Sequence, residues 1–319
     1  MDIMLEKLVS AFGVSGHEDE VRQVIREELK DINCDIKEDK MGNLIVKVGE
    51  GAEKIMFCAH MDEIGLIATY IEDNGFVRVG NIGGIHASEI VHNFVVFKNG
   101  TMGKVGAAKS DPKIEDLFID LGVTSREEAL KKVKEGETAC LLCDGMEVED
   151  KIMSPCLDDR IGCYILLRMI KEIKQTSSEL YFVFSTQEEL GGRGARAAAY
   201  NIEPDYCIVL DTQGTGDYIG AEGNLELGKG PIIKIKDKTL IMHHEIKEML
   251  EDAAQRAEVK VQYGMSEGST DGGNIHKEKG GIKTGVVSIP CRYAHSISEM
   301  VSMKDVEGTI KLLESLLKI

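Results

Sequence analysis

Side chains able to bind a metal or move a proton fall at five places in the chain: His60-Met61-Asp62, Asp158-Asp159, Glu188-Glu189, Asp211 and His295. Imidazole and carboxylate are the donors that a divalent ion such as Zn²⁺ takes. Two ions a few ångströms apart need a shared ligand, and a carboxylate with two oxygens can bridge them. One His and one carboxylate for each ion, plus a bridging Asp, would leave a position open for water. Each place also has an ordinary explanation. A lone His after a strand is usually structural, Asp158-Asp159 could cap a helix and Asp211 could cap a turn. Glu188-Glu189 could be a solvated pair. In His60-Met61-Asp62 the Asp can hold the second imidazole nitrogen and fix its tautomer. Adjacent glutamates at a strand end point different ways, so one can ligate while its neighbour faces a metal-activated water. That neighbour takes the water's proton and returns it to the leaving amine.

What joins the five is their place relative to predicted strands. IMFCA (55–59) precedes His60, LYFVFS (180–185) precedes Glu188-Glu189, YCIVL (206–210) precedes Asp211, and TGVVSIP (284–290) precedes His295. Ligands of open α/β sheets bind beyond the carboxyl ends of the strands. Apolar spacing predicts helices over 17–30, from Leu157, after GGRG at 191–194, over 243–258 and at the C-terminus. Strands alternating with such helices imply a mainly parallel sheet covered on both faces. Residues 66–150 differ. Short alternating runs such as FVRVG and NFVVFKNG, parted by Asn-Gly and Gly-Gly turns, read as all-β, followed by EDLFIDLG and REEALKKVKEG, which read as helical. The expected architecture is therefore α/β, with residues 1–65 and 151–319 forming one discontinuous domain and 66–150 a β-rich insertion.

Composition narrows the classes. The 319 residues carry 38 Lys+Arg against 55 Asp+Glu, a net charge of -17, which repels phosphate backbones and argues against nucleic acid as a partner. No apolar run is long enough to cross a bilayer, so no membrane partner is expected. The opening MDIMLEKLVSAFG reads as an amphipathic helix rather than a signal peptide. Cysteines such as Cys58, Cys163 and Cys207 sit inside apolar runs, the setting of reduced, buried thiols, and point to the cytoplasm. Cys140 and Cys143 have no matching second pair and read as part of a strand.

Five segments in order, AHMDEIG (59–65), LDDRIGC (157–163), STQEELGGRGA (185–195), LDTQ (210–213) and GVVSIPCRYAHS (285–296), resemble the M42 peptidases, the tetrahedral aminopeptidases and their glutamyl aminopeptidase relatives. PKIEDLFIDLG (112–122) resembles the inserted domain of that family. The resemblance implies a zinc-exopeptidase-like α/β domain with an inserted β-rich dimerisation domain, and two divalent ions per subunit, Zn or Co. It assigns His60 and Asp211 to one ion, Glu189 and His295 to the other, and Asp158 to both. Asp62 would orient His60, and Glu188 would be the general base and acid. Short peptides would be the substrates, and the chain would form a homo-oligomer, from dimer up to dodecamer. The link before Pro112 is shorter than is usual in the family, and Lys283 stands where Pro is usual. Three residues are candidates for substrate contact: Asp271 in STDGGNIH, Lys283 as a partner for an acidic N-terminal side chain, and Arg292. Arg160, Arg193 and Arg292 also keep open a grip on a terminal carboxylate.

Two rivals make different use of the same groups. Paired carboxylates serve glycosidases (the endoglucanase-like reading), but that chemistry needs no His ligands, and sugar clefts favour aromatics, whereas this chain has no Trp and 5% aromatics. A non-catalytic binding protein would have lost a ligand or the base, and none is lost.

Overall fold

The computed structural model describes residues 1–317. Two helices, α1 (Ile3–Ser10) and α2 (Asp19–Leu29), lead into β1 (Asp35–Glu38), β2 (Leu44–Val48) and β3 (Lys54–His60). The chain then winds a closed six-stranded antiparallel barrel. Its strands are β4 (Gly65–Ile71), β5 (Val77–Ile82), β6 (Phe94–Phe97), β7 (Met102–Ala107), β8 (Leu117–Asp120) and β9 (Thr138–Leu142), with short helices α3 (Ala87–Ile90) and α4 (Arg126–Leu130) between them. It returns to the main sheet through β10 (Met146–Val148) and β11 (Lys151–Ser154). Then follow α5 (Leu157–Glu172), β12 (Glu179–Ser185), α6 (Arg193–Ile202), β13 (Tyr206–Gly214), β14 (Ile232–Lys236), α7 (His244–Arg256), β15 (Gln262–Met265), α8 (Gly272–Ile275), β16 (Lys283–Arg292), β17 (Glu299–Ser302) and α9 (Met303–Leu317).

The main sheet runs β1-β2-β12-β3-β13-β16-β17-β11-β10, with β14 and β15 branching from β16. Its four central strands, β12, β3, β13 and β16, are parallel. The flanks are antiparallel, so the sheet is mixed. The central strands are apolar on both faces because both faces are covered. Ile55, Phe57 and Ala59 of β3 pack with α5, α7 and α9 on one side, while Met56 and Cys58 pack with α6 and α8 on the other. Phe57 stacks on Phe182 of the neighbouring strand at 5.3 Å between ring centroids.

The barrel has its own core, in which Leu66, Ile71, Val77, Val95, Val105, Leu117 and Ile119 are fully buried. EDLFIDLG, expected to be helical, gives only a 3-10 turn (Ile114–Asp116) before strand β8. The period-two pair Leu117 and Ile119 points into the barrel, and β8 bonds β5 on one side and β7 on the other. Closing the barrel outweighs the local helical pattern.

Candidate metal centre

Parallel pairing brings the candidate residues together. Ser185 pairs with His60 across β12 and β3, so Glu188-Glu189 leave the sheet beside the His. Two residues beyond the paired Val209 and Cys58 stand His60, the last residue of β3, and Asp211, which lies within β13 because that strand runs past the apolar run 206–210 to Gly214. His295 follows β16 on the next strand across. Asp158 and Asp159, joined by a cis peptide bond, enter from the start of α5 with non-helical backbone angles.

The contacts are close and mutual. His60 Nε2 lies 3.2 Å from Asp158 Oδ1, and His295 Nε2 lies 3.5 Å from Asp158 Oδ2, so each carboxylate oxygen of Asp158 faces one imidazole. His295 Nε2 is also 3.2 Å from Glu189 Oε1. The ligand atoms of His60, Asp158 and Asp211 all fall within 4.8 Å of one another, as do those of Asp158, Glu189 and His295. Zinc–nitrogen and zinc–oxygen bonds of about 2.0 Å place neighbouring ligands of a tetrahedral ion about 3.3 Å apart, close to the separations of the two imidazoles from Asp158 and of His295 from Glu189. Two trios share Asp158, one oxygen to each.

His60 Nδ1 lies 3.1 Å from the Asp62 main-chain oxygen and 3.6 Å from its Oδ1, and the Asp62 carboxylate has further partners. Its Oδ1 accepts the Glu188 N–H at 2.9 Å, and its Oδ2 accepts the Glu189 N–H at 3.2 Å and the Ser15 hydroxyl at 2.5 Å. One buried carboxylate thus fixes the backbone of both glutamates. Glu188 belongs to neither trio, yet lines the same cleft of about 590 Å³.

The charge balance of the cluster points the same way. Burial opposes protonation of His60, but its contacts with Asp158 and Asp62 outweigh this and raise its pKa well above the usual value. Burial likewise opposes protonation of His295, and Asp158 and Glu189 push it up to about 12. Burial raises Asp211 to about 7, helped by Asp158, and lifts Glu188 well above the carboxylate range. Burial would raise Asp158 too, but the two imidazoles hold it low. The site gathers more negative charge than its imidazoles balance, the imbalance that divalent cations relieve.

The substrate candidates are placed differently from their expected roles. Asp271 lies beneath the cleft, not on its wall; it accepts hydrogen bonds from Ser185 Oγ at 2.6 Å and Cys58 Sγ at 3.6 Å. Lys283 opens β16, at the end of the strand opposite His295, and pairs with Glu245 at 2.5 Å. It faces no substrate, because a residue at the amino end of a parallel strand cannot reach the carboxyl end. Arg292 is held by both oxygens of Asp217, at 3.0 and 2.7 Å, outside the cleft lining. Arg160 is wholly buried, donating to the Met61, Leu8 and Ala11 carbonyls and pairing with Glu63 at 3.0 Å. Arg193 reaches Gln187 at 3.3 Å. None of the three arginines lines the cleft. The lining does include Gln213 of LDTQ, to which no role was assigned, and Lys234, Gly84 and His86, which lie outside the motifs. Lys234 is one lysine in PIIKIKD, a pattern that reads as an ordinary half-exposed strand. Gly84 and His86 come from the barrel, which sequence order sets apart from the site.

Residues 42–312 match the family model described as M42 glutamyl aminopeptidase. A protein of Acetivibrio thermocellus named as an aminopeptidase is 44% identical over 97% of this chain and 96% of its own. The chain belongs to the M42 aminopeptidase family. A lysyl aminopeptidase of Pyrococcus furiosus is 31% identical over 99% of this chain and 96% of its own. The TET1 peptidase of Pyrococcus horikoshii, described as able to assemble into a tetrahedron or a large octahedral shell, superimposes with a TM-score of 0.91, at 34% identity over 98% of each chain. Like its family, this M42 aminopeptidase is a metal-dependent peptidase, with the α/β fold and separate small β-barrel of the TET structures.

Proposed function

We propose that this M42 aminopeptidase holds two divalent ions per subunit, Zn or Co, and releases N-terminal residues from short peptides with Glu188 as general base and acid. The observation that carries this reading is the pair of ligand trios sharing Asp158, with Glu188 beside both and in neither. His60 and Asp211 would hold one ion, Glu189 and His295 the other, with Asp158 between them. Bound there, the ions would supply Lewis acidity, lowering the pKa of water and polarising the scissile carbonyl. Glu188 takes the proton of the attacking water and delivers it to the leaving amine. Its N–H, tied to Asp62, fixes its place at the cleft wall, and burial keeps its carboxyl basic enough for the task. The carboxylate-rich wall suits a free α-ammonium, which favours removal from the N-terminus.

Release of N-terminal residues from short peptides tests the reading, comparing ion-free protein, Zn²⁺- or Co²⁺-loaded protein and loaded Glu188→Gln. Metal-dependent release that falls by about 10²- to 10⁴-fold in Glu188→Gln is expected. Two ions bound without release of any residue would overturn it. The endoglucanase-like reading gains nothing from the cleft, whose lining contains neither Phe nor Tyr.

Substrate preference rests on Lys234. It is 4% exposed and is the one Lys or Arg of the cleft lining. Among the described residues no carboxylate comes within 4.0 Å of its ammonium. Its charge acts on Asp211 of the same cleft, whose pKa it lowers, and a substrate carboxylate would supply the direct ion pair it lacks. Relatives bear both glutamyl and lysyl names, so membership of the family leaves the preference open. Glu- and Asp-anilides should be preferred over Gln- and Leu-anilides, and Lys234→Met should erase about 10- to 100-fold of that preference. An equal loss on every anilide would assign Lys234 to the metal-binding side instead.

The barrel region, 66–150, is proposed as the dimerisation domain of a homo-oligomer in the cytoplasm. The eight free cysteines suit a reducing compartment.

A further inference from the structure

His295 stands in an unfavourable backbone conformation. Its φ is 60°, in the left-handed region that residues other than glycine seldom adopt, and Tyr293 two residues earlier has a φ of 59°. Such a conformation persists only where the surroundings hold it. The imidazole is held from the barrel side, where Nδ1 lies 2.9 Å from the Gly84 carbonyl oxygen. The His295 main chain is held by Glu299, the first residue of β17. Glu299 Oε1 accepts the His295 N–H at 2.7 Å, and Glu299 Oε2 accepts the Asp158 N–H at 2.8 Å. Glu299 is 2% exposed, and these two backbone donors take one oxygen each.

We infer that Glu299 is a positioning residue of the metal centre: its carboxylate clamps His295 and Asp158 to each other through their backbone N–H groups and so sets the geometry of the Asp158–Glu189–His295 trio. Two observations on this chain converge on it. One is the strained ligand that needs holding, and the other is the double hydrogen bond that holds it. The arrangement needs a carboxylate. Both partners are donors, and an amide in its place would turn an NH₂ group toward one of the two N–H groups. The clamp acts on the two trios unequally. His295 serves only the second, and Asp158 serves both, so losing the clamp should loosen the second trio more than the first.

This inference rests on the two-ion reading above, and the experiment separates the two. Ion-free wild type and Glu299→Gln are titrated with Co²⁺, read by visible absorption of the bound ion and by calorimetry, with thermal unfolding of the ion-free proteins in parallel. Wild type should fill two sites. Glu299→Gln should fill the first with affinity within about threefold of wild type, and the second about 10- to 100-fold more weakly, the range typical of residues that orient metal ligands. Fewer than two ions in wild type would overturn the reading of the site itself. Two ions in wild type, with both steps of Glu299→Gln weakened equally or neither weakened, would overturn the role of Glu299. Should Glu299→Gln not fold, Glu299→Asp carries the same test. It keeps the charge, but one methylene fewer prevents its oxygens from reaching both donors, so the same ordering of the two steps is expected and an equal change in both is again the contrary result.

Discussion

At the scale of single residues, protons and metal ions compete for the same atoms. In the ion-free protein the raised pKa values of His60 and His295 keep both imidazoles charged at neutral pH. An ion must displace those protons, so affinity should rise with pH and binding should release protons. Calorimetry over about pH 6 to 8, in buffers of different ionisation enthalpy, should find on the order of one to two protons released per chain on loading; loading with no proton release would count against the assigned imidazoles. Arg292 is a contrasting case, a charge with a structural task. Its guanidinium, hydrogen-bonded to Asp217, holds that carboxyl well below the usual range. A depressed carboxylate pKa gives stability that is complete above the unfolded value, about 3.9, and fades as pH falls through the folded one. Arg292→Ala should therefore cost about 1 kcal/mol at neutral pH, less in acid, with kcat/KM for Glu- and Leu-anilides unchanged. A selective loss on Glu-anilide would restore Arg292 as a substrate contact.

At the scale of elements, the turn from β12 to α6 decides where the two glutamates point. Asn43, just before β2, holds that turn. Its Oδ1 accepts the Thr186 N–H at 3.0 Å, and its Nδ2 donates to the Gly194 carbonyl at 2.9 Å. Gly194 is required by this closeness, since an added Cβ would lie 2.3 Å from Asn43 Oδ1 and 2.5 Å from the Thr186 carbonyl. Gly194→Ala should lower stability by about 1 to 3 kcal/mol in urea unfolding, the usual cost of overpacking, and should reduce turnover through Glu188. Unchanged stability would mean that α6 shifts freely. The helices and central strands were legible because their apolar spacing reports burial directly. EDLFIDLG was not, because a strand of four residues inside a closed barrel is chosen by its partners.

At the scale of the whole molecule, the barrel and the α/β domain meet at the metal centre. The Gly84 carbonyl bonds His295, and an added Cβ on Gly84 would stand 3.1 Å from that imidazole. The barrel also carries an exposed apolar face. Phe94 is 55% and Met102 63% exposed, and Phe94 pairs across strands with half-exposed Leu142. An apolar face of this kind marks an interaction surface. If it is the dimer contact, Phe94→Glu with Met102→Glu should yield a smaller species in size-exclusion chromatography with light scattering, with the fold intact by circular dichroism. An unchanged assembly would move the contact elsewhere.

The sequence by itself determined the family, the α/β pattern with its β-rich insertion, and the five places that carry His, Asp and Glu. Apolar runs locate the central strands, although β13 and β16 continue past theirs to Gly214 and Arg292, and the ligand types are set by the chemistry of the ions they take. Only the tertiary structure decided which charged side chains reach the cleft. Lys283 lies at the wrong end of its strand, Arg160 faces inward and Arg292 is taken by Asp217, while Lys234 and Glu299, inconspicuous in their segments, stand at the site. The reason is physical. A side chain's partners come from strands and loops distant in sequence, such as Gly84 and His295, 211 positions apart, and no local pattern records them.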